Sequence, residues 1–249
     1  MTDISAPVLE PIGEFRIGQV LSRALTITSR NLVQFALITA VPLLPLLLAT
    51  LSLATPKPGL SGLGGTFVIS ILLSAILIAL SQAVIIYAAF QTMRGRPVSV
   101  GESLGKGLAR FGAVIGAAIV IGFGISFGFL LLIVPGFILA AMWYVALPAC
   151  VVETLPVFGS LGRSAELTKG HRWQIVGLYF LVAIAAAIVN GIAGGIFGAI
   201  FGRFVGAFPT FVVQVIVAAY QAVVVVVAYH DLRVAKEGVD IDRIAAVFD

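Results

Sequence analysis

The chain has 249 residues, of which 60% are hydrophobic and only 10% charged. A soluble domain carries roughly 25% charged residues, so a water-solvated globule is excluded and most of this surface must meet lipid or other helices. Mean hydropathy is +1.15 and net charge +4. The basic residues hug the ends of apolar runs, which points to anionic lipid headgroups rather than nucleic acid.

The first apolar run begins only at Leu32 and lasts about 22 residues, longer than the 7–15 of a cleaved leader. The chain is expected to keep it. Crossing the hydrocarbon takes roughly 20 apolar residues, and six runs qualify or come close. Span 1 is Leu32–Ala54, with Pro42 and Pro45 as kink points. Span 2 is Thr66–Phe90 and span 3 is Phe111–Val134. Pro135-Gly136 is read as a tight turn. Span 4 is Phe137–Val152, short, with Pro148 near its end. Span 5 is Trp173–Ile200 and span 6 is Phe208–Tyr229. The runs are continuous rather than alternating, which excludes a β-barrel.

Of fifteen Lys and Arg, only Lys57 and Arg203 fall in the short loops Thr55–Gly65 and Phe201–Ala207; the other thirteen fall in the termini and alternate loops. All eleven acidic residues lie on the same side as the thirteen. By the positive-inside rule both termini are cytoplasmic. The expected setting is the bacterial cytoplasmic (inner) membrane.

Each stretch before an odd-numbered span reads as a short amphipathic helix with a Leu-small-basic-small motif. The copies are Leu21-Ser22-Arg23-Ala24, Leu104-Gly105-Lys106-Gly107 and Leu161-Gly162-Arg163-Ser164. Ser99 and Glu102 make a capping-box pattern for the second copy. Pro156 suits the first turn of the third, and Gly170 the position just past its end. The expected fold is therefore all-α and polytopic: six transmembrane helices in three repeats of interfacial helix plus hairpin. The whole chain, residues 1–249, is one helical membrane domain with repeats at 14–93, 97–152 and 155–231 and a cytoplasmic tail at 230–249.

Two patches resemble a bacterial family. One is Leu147-Pro148-Ala149, Val152-Glu153, then Ser164-Ala165-Glu166-Leu167-Thr168-Lys169-Gly170 and Trp173; the other is Tyr229-His230-Asp231-Leu232-Arg233 through Asp240. They are similar to the membrane domain of glycerophosphoryl diester phosphodiesterases and its stand-alone relatives of uncharacterised function. The resemblance implies a multi-span helical domain. In the full enzymes that domain is fused to a catalytic barrel. The present sequence ends at Asp249 without one, so phosphodiester hydrolysis is not expected of it.

The predicted spans hold no ionisable residue at depth, which argues against a proton-driven pump. Their polar residues are Gln82, Asn190, Gln214 and Gln221, read as inter-helix hydrogen-bonding groups or as the lining of a polar path. Gly191, Gly194, Gly195, Gly198 and Gly202, followed by Gly206, form a stripe for close helix packing inside the bundle or between protomers. Arg23, Lys106, Arg163 and Arg172 are the candidate contacts to anionic lipid or to a partner. Glu153 is expected to pair with Arg163 or Arg172, or to lie in water. Adjacent His230 and Asp231 are too few for a metal, which takes three or four protein ligands. The single cysteine, Cys150, reads as a small core residue.

No nucleophile elbow, phosphate loop or dinucleotide fingerprint is present. No catalytic residue, metal or cofactor is expected. The leading expectation is a non-enzymatic, lipid-interacting accessory or scaffold protein, either homo-oligomeric or part of a membrane complex. The alternatives are a facilitator of a lipid or small amphiphile and the membrane subunit of a larger assembly.

Overall fold

A computed structural model describes residues 15–54, 77–78, 81–93 and 100–237. The described residues are helical, with no strand among them. The helices are α1 (Ile17–Arg30), α2 (Leu32–Ala54), α3 (81–93), α4 (Val100–Ala109), α5 (Phe111–Leu131), α6 (Ile133–Met142), α7 (Ala146–Val152) and α8 (Val157–Leu167). Then come α9 (Arg172–Gly202) and α10 (Phe204–Glu237).

Four helical segments are long and apolar enough to cross a membrane: Phe111–Leu131, Ile133–Val152, Arg172–Gly202 and Phe204–Glu237. A fifth arises if Ile17–Arg30 and Leu32–Val41, bent by 87°, count as one broken span. The predicted span 1 has the same limits as α2. Most of the predicted span 2 lies outside the described residues, as do Ser99 of the expected capping box and the tail beyond Glu237.

The bend between α1 and α2 has a local cause. Asn31 leaves helical geometry (φ −124°, ψ 29°), and its Nδ2 donates to the Ile27 carbonyl at 3.2 Å. That side chain supplies a partner for one of the carbonyls a helix C-terminus leaves bare. α1 buries Val20, Ala24 and Thr28 at four-residue spacing, one face of a helix lying along the bundle.

The Pro135-Gly136 turn needs correction. The chain reverses at Leu132 (φ −162°, ψ 150°), and Pro135 and Gly136 lie inside the first turn of α6. Proline is tolerated there because the first four N–H groups of a helix have no intrahelical acceptor. Pro148 behaves alike. It sits in the first turn of α7, after a break at Trp143–Val145, rather than near the end of an unbroken helix. The predicted loop Phe201–Ala207 contracts to a reversal at Gly202, where φ is +73° and ψ 169°, a region open essentially to glycine. Gly170 follows α8 with φ +95° as expected, while Pro156 is the N-cap of α8 and Val157 its first helical residue.

The core is drawn from α1, α2, α3, α7, α9 and the C-terminal half of α10, where Ala222 to Ala228, Tyr229 and Leu232 are mostly buried. By contrast Phe123, Leu130, Phe180, Ile188, Ile200 and Val212 are exposed. Apolar surface on this scale is incompatible with water on all sides and fits a lipid surround.

Candidate functional site at the polar end of the bundle

The end of α7, the helices α1, α4 and α8, and the last turns of α10 bring most of the described charges together. Glu153 is the C-cap of α7. Its carboxylate accepts from Arg163 Nε at 3.0 and 3.1 Å and from the buried Tyr229 hydroxyl at 2.5 Å. Arg163 also donates through its NH2 group to Glu237. Glu237 accepts from Arg233, one helical turn earlier, at 2.8 Å. Burial works against the Arg163 charge, but the hydrogen bonds to Glu237 and Glu153 outweigh it and raise its pKa above the ordinary value. The arrangement is a latch tying α7, α8 and α10 together.

Of the two partners expected for Glu153, the structure selects Arg163. That guanidinium is only 20% exposed, so its charge is committed to carboxylates of the same chain rather than presented to phosphate. Arg172 opens α9 half-buried, with no hydrogen-bond partner for its Nε among the described residues. Lys106 is exposed on α4.

Small residues let the short helices dock. A Cβ on Gly107 would lie 2.5 Å from Val84 Cγ2, with the Val84 backbone at 3.3 Å. Ser164 is fully buried and donates to the Met142 carbonyl at 2.8 Å, while Thr168 reaches the same oxygen at 3.3 Å. Met142 ends α6, so its carbonyl is among those a helix leaves without a partner. Ala24 is fully buried too. A second polar contact joins α3 to α4: Tyr87 donates to Glu102 at 2.7 Å, and Gln91 donates to the Tyr87 oxygen at 2.9 Å.

Beside α1 lies a cleft of about 330 Å³ lined by Ser22, Arg23, Thr26, Ile27, Met93 and His230. Arg23 NH1 donates to Asp231 Oδ1 at 2.8 Å, and His230 Nδ1 lies 3.3 Å from the same oxygen. A smaller cleft, about 220 Å³, lies between α2, α9 and α10 near the Gly202 reversal, lined by Leu47, Gly194, Gly198, Thr210, Phe211 and Gln214 among others.

The polar residues expected within the spans differ in their relation to the two clefts. Gln214 lines the small cleft; Gln82, Asn190 and Gln221 line neither cleft. Asn190 donates to Ala186 of its own helix at 2.9 Å, leaving its Oδ1 without a partner among the described residues. Within one chain, Gly191, Gly195, Gly198 and Gly202 face open space, and Gly194 only touches Thr210 at 4.0 Å. Close approach falls on other glycines. A Cβ on Gly206 would meet the Phe197 carbonyl oxygen at 2.4 Å, one on Gly124 would meet Trp143 at 2.3 Å, and one on Gly136 would meet Phe129 at 2.5 Å.

Sequence reasoning missed Tyr229, Arg233 and Glu237. The signal was their four-residue spacing on one helical face. The Ser164 bond to the α6 terminus had none, since nothing marked Met142 as a helix end.

These features define an all-helical protein with several helices fit to cross a membrane. No family model matches the chain, nor does any curated protein or solved structure.

Proposed function

We propose that this is a non-enzymatic multi-pass protein of a bacterial cytoplasmic membrane, a lipid-interacting accessory or scaffold with both termini in the cytoplasm. Its architecture is six spans in three repeats. The carrying observation is shared by the three short helices. Each buries the small fourth residue of its motif, Ala24, Gly107 or Ser164, and each keeps a large apolar side chain exposed: Leu25, Leu108 or Phe158. A helix with one face docked and another apolar face open sits well at the boundary between headgroups and acyl chains. Exposed Lys106 and Lys169 are placed to meet anionic phosphates there. The similarity of two patches to the membrane domain of phosphodiesterases agrees with a membrane role and brings no activity with it.

A facilitator is the second reading. It draws on the small cleft, where Gln214 and Thr210 give polar atoms inside an apolar wall.

Gentle purification followed by native mass spectrometry tests the proposal. Bound phospholipid on an otherwise inert chain is expected, with anionic species lost when Lys106 and Lys169 are both changed to Gln. A chain free of lipid in every mild detergent overturns the reading.

A further inference from the structure

The cleft beside α1 has a hydrogen-bonding character of its own. Ser22 Oγ donates to the Gln19 carbonyl at 3.1 Å, and Thr26 Oγ1 donates to the Ser22 carbonyl at 3.0 Å. Each hydroxyl has one proton, so what both retain for the cleft is lone pairs. His230 Nδ1 faces a carboxylate oxygen, which can only accept. The tautomer that donates from Nδ1 to that oxygen leaves Nε2 as an acceptor. The Asp231 carboxylate stands behind Arg23 and His230, holding both. Among the described lining residues the cation set against these acceptors is Arg23, which is half-exposed and uses NH1 on Asp231. The rest of its fork remains to donate.

A lone anion fits such a site poorly, because Arg23, the arginine among its described lining residues, already has Asp231 at 2.8 Å. A ligand complementary to this surface carries an anionic group for the Arg23 fork and, a few bonds away, several N–H donors for Ser22, Thr26 and His230. We infer that the cleft binds a phosphate bearing a primary ammonium, the chemistry of an ethanolamine phosphate headgroup. A trimethylammonium group has no N–H to give and leaves the acceptors unsatisfied. The volume, about 330 Å³, is at the lower end of the roughly 300–1,000 Å³ typical of ligand sites, so it takes a headgroup and not a whole lipid. Ile27 and Met93 supply an apolar wall for the carbons that follow. The inference rests on the lipid-interacting reading, which puts α1 at headgroup depth.

The test is native mass spectrometry of the full chain, equilibrated with equal amounts of phosphatidylethanolamine, phosphatidylcholine and phosphatidylglycerol of matched chains. Retention of the ethanolamine lipid over the choline lipid by about tenfold is expected, the worth of one or two hydrogen bonds to a charged group. Asp231→Asn should bring the two close to parity. Ser22→Ala with Thr26→Val leaves the Arg23–Asp231 pair in place and should still cut the preference severalfold. That double variant decides the matter if Asp231→Asn fails to fold. Displacement of the lipid by excess soluble phosphoethanolamine would support the same chemistry and assign the ligand to a free metabolite; persistence of the lipid would assign it to the bilayer. Parity of ethanolamine and choline lipids in the native chain, or a preference for phosphatidylglycerol, overturns the inference while leaving a lipid-interacting protein. Loss of all three lipids overturns the underlying reading instead.

Discussion

Two hairpins among the described residues, α5–α6 and α9–α10, each reverse at a single residue and are built differently. α5 turns into α6 at Leu132, in an extended conformation that any residue adopts. Below that turn, Gly124, Gly128 and Gly136 each lie where a Cβ would strike the facing helix. α9 turns into α10 at Gly202, in a conformation that needs glycine. There only Gly206 is in hard contact, and the stripe from Gly191 to Gly198 faces open space or a bare touch. The first hairpin is closed by its glycines and the second is opened beside them. Thr210, Phe211 and Gln214 stand across from Gly194 and Gly198, leaving the small cleft that Leu47 of α2 completes. Four-residue glycine spacing permits close approach; the side chains opposite decide whether it happens.

The sharpest way to break this contrast is Gly206→Ala. The added carbon would meet the Phe197 carbonyl oxygen at 2.4 Å and its carbon at 2.7 Å. Backbone cannot rotate aside, so the cost should reach the top of the roughly 1–3 kcal/mol seen for overpacking, or exceed it. A clear fall in apparent Tm in detergent is expected; an unchanged Tm would mean the α9–α10 turn is wider than described.

Next in size is Arg163→Gln. The Arg163 guanidinium joins α8 to Glu153 of α7 and to Glu237 at the end of the second hairpin away from the turn. Stranding those carboxylates should cost about 1–3 kcal/mol, less than the 3–5 of a fully buried pair since solvent still reaches them. A cycle with Glu237→Gln should show the two changes to be non-additive. Additive losses would show that α8 and α10 are held together by apolar packing alone.

The smallest effect belongs to Gly195→Leu and Gly198→Leu. With nothing of the same chain within 4 Å, neither should lower the Tm, and better helix propensity can raise stability by up to about 1 kcal/mol. A marked loss of stability, or of an oligomer on native gels, would place another chain against the stripe.

How far the sequence carried these conclusions can be seen residue by residue. Hydropathy alone placed α2 from Leu32 to Ala54 and the start of α5 at Phe111, because apolar length is a local property. It misplaced the first reversal by a few residues. Pro135 forbids a helical bond back to Leu131, so the chain breaks there, ahead of the proline, and the ring then starts the next helix. The pairing of Arg163 with Glu153 was among the expectations, while its bond to Glu237 was not, since Glu237 lies 74 positions away and no periodicity links them. The choice of Arg163 over Arg172 for Glu153 likewise depended on the fold. Deep glutamines were easy to list, and that Gln214 lines the small cleft was not legible, because that is a matter of helix rotation.

The bond from Ser164 to the Met142 carbonyl bears on how the chain is made. Synthesis delivers the break between α6 and α7 more than ten residues before the helix that satisfies it. Until α8 emerges and lies down, that carbonyl must find water or stay bare in a setting where bare carbonyls are costly. The α6–α7 break therefore gains this partner only once α8 has been made.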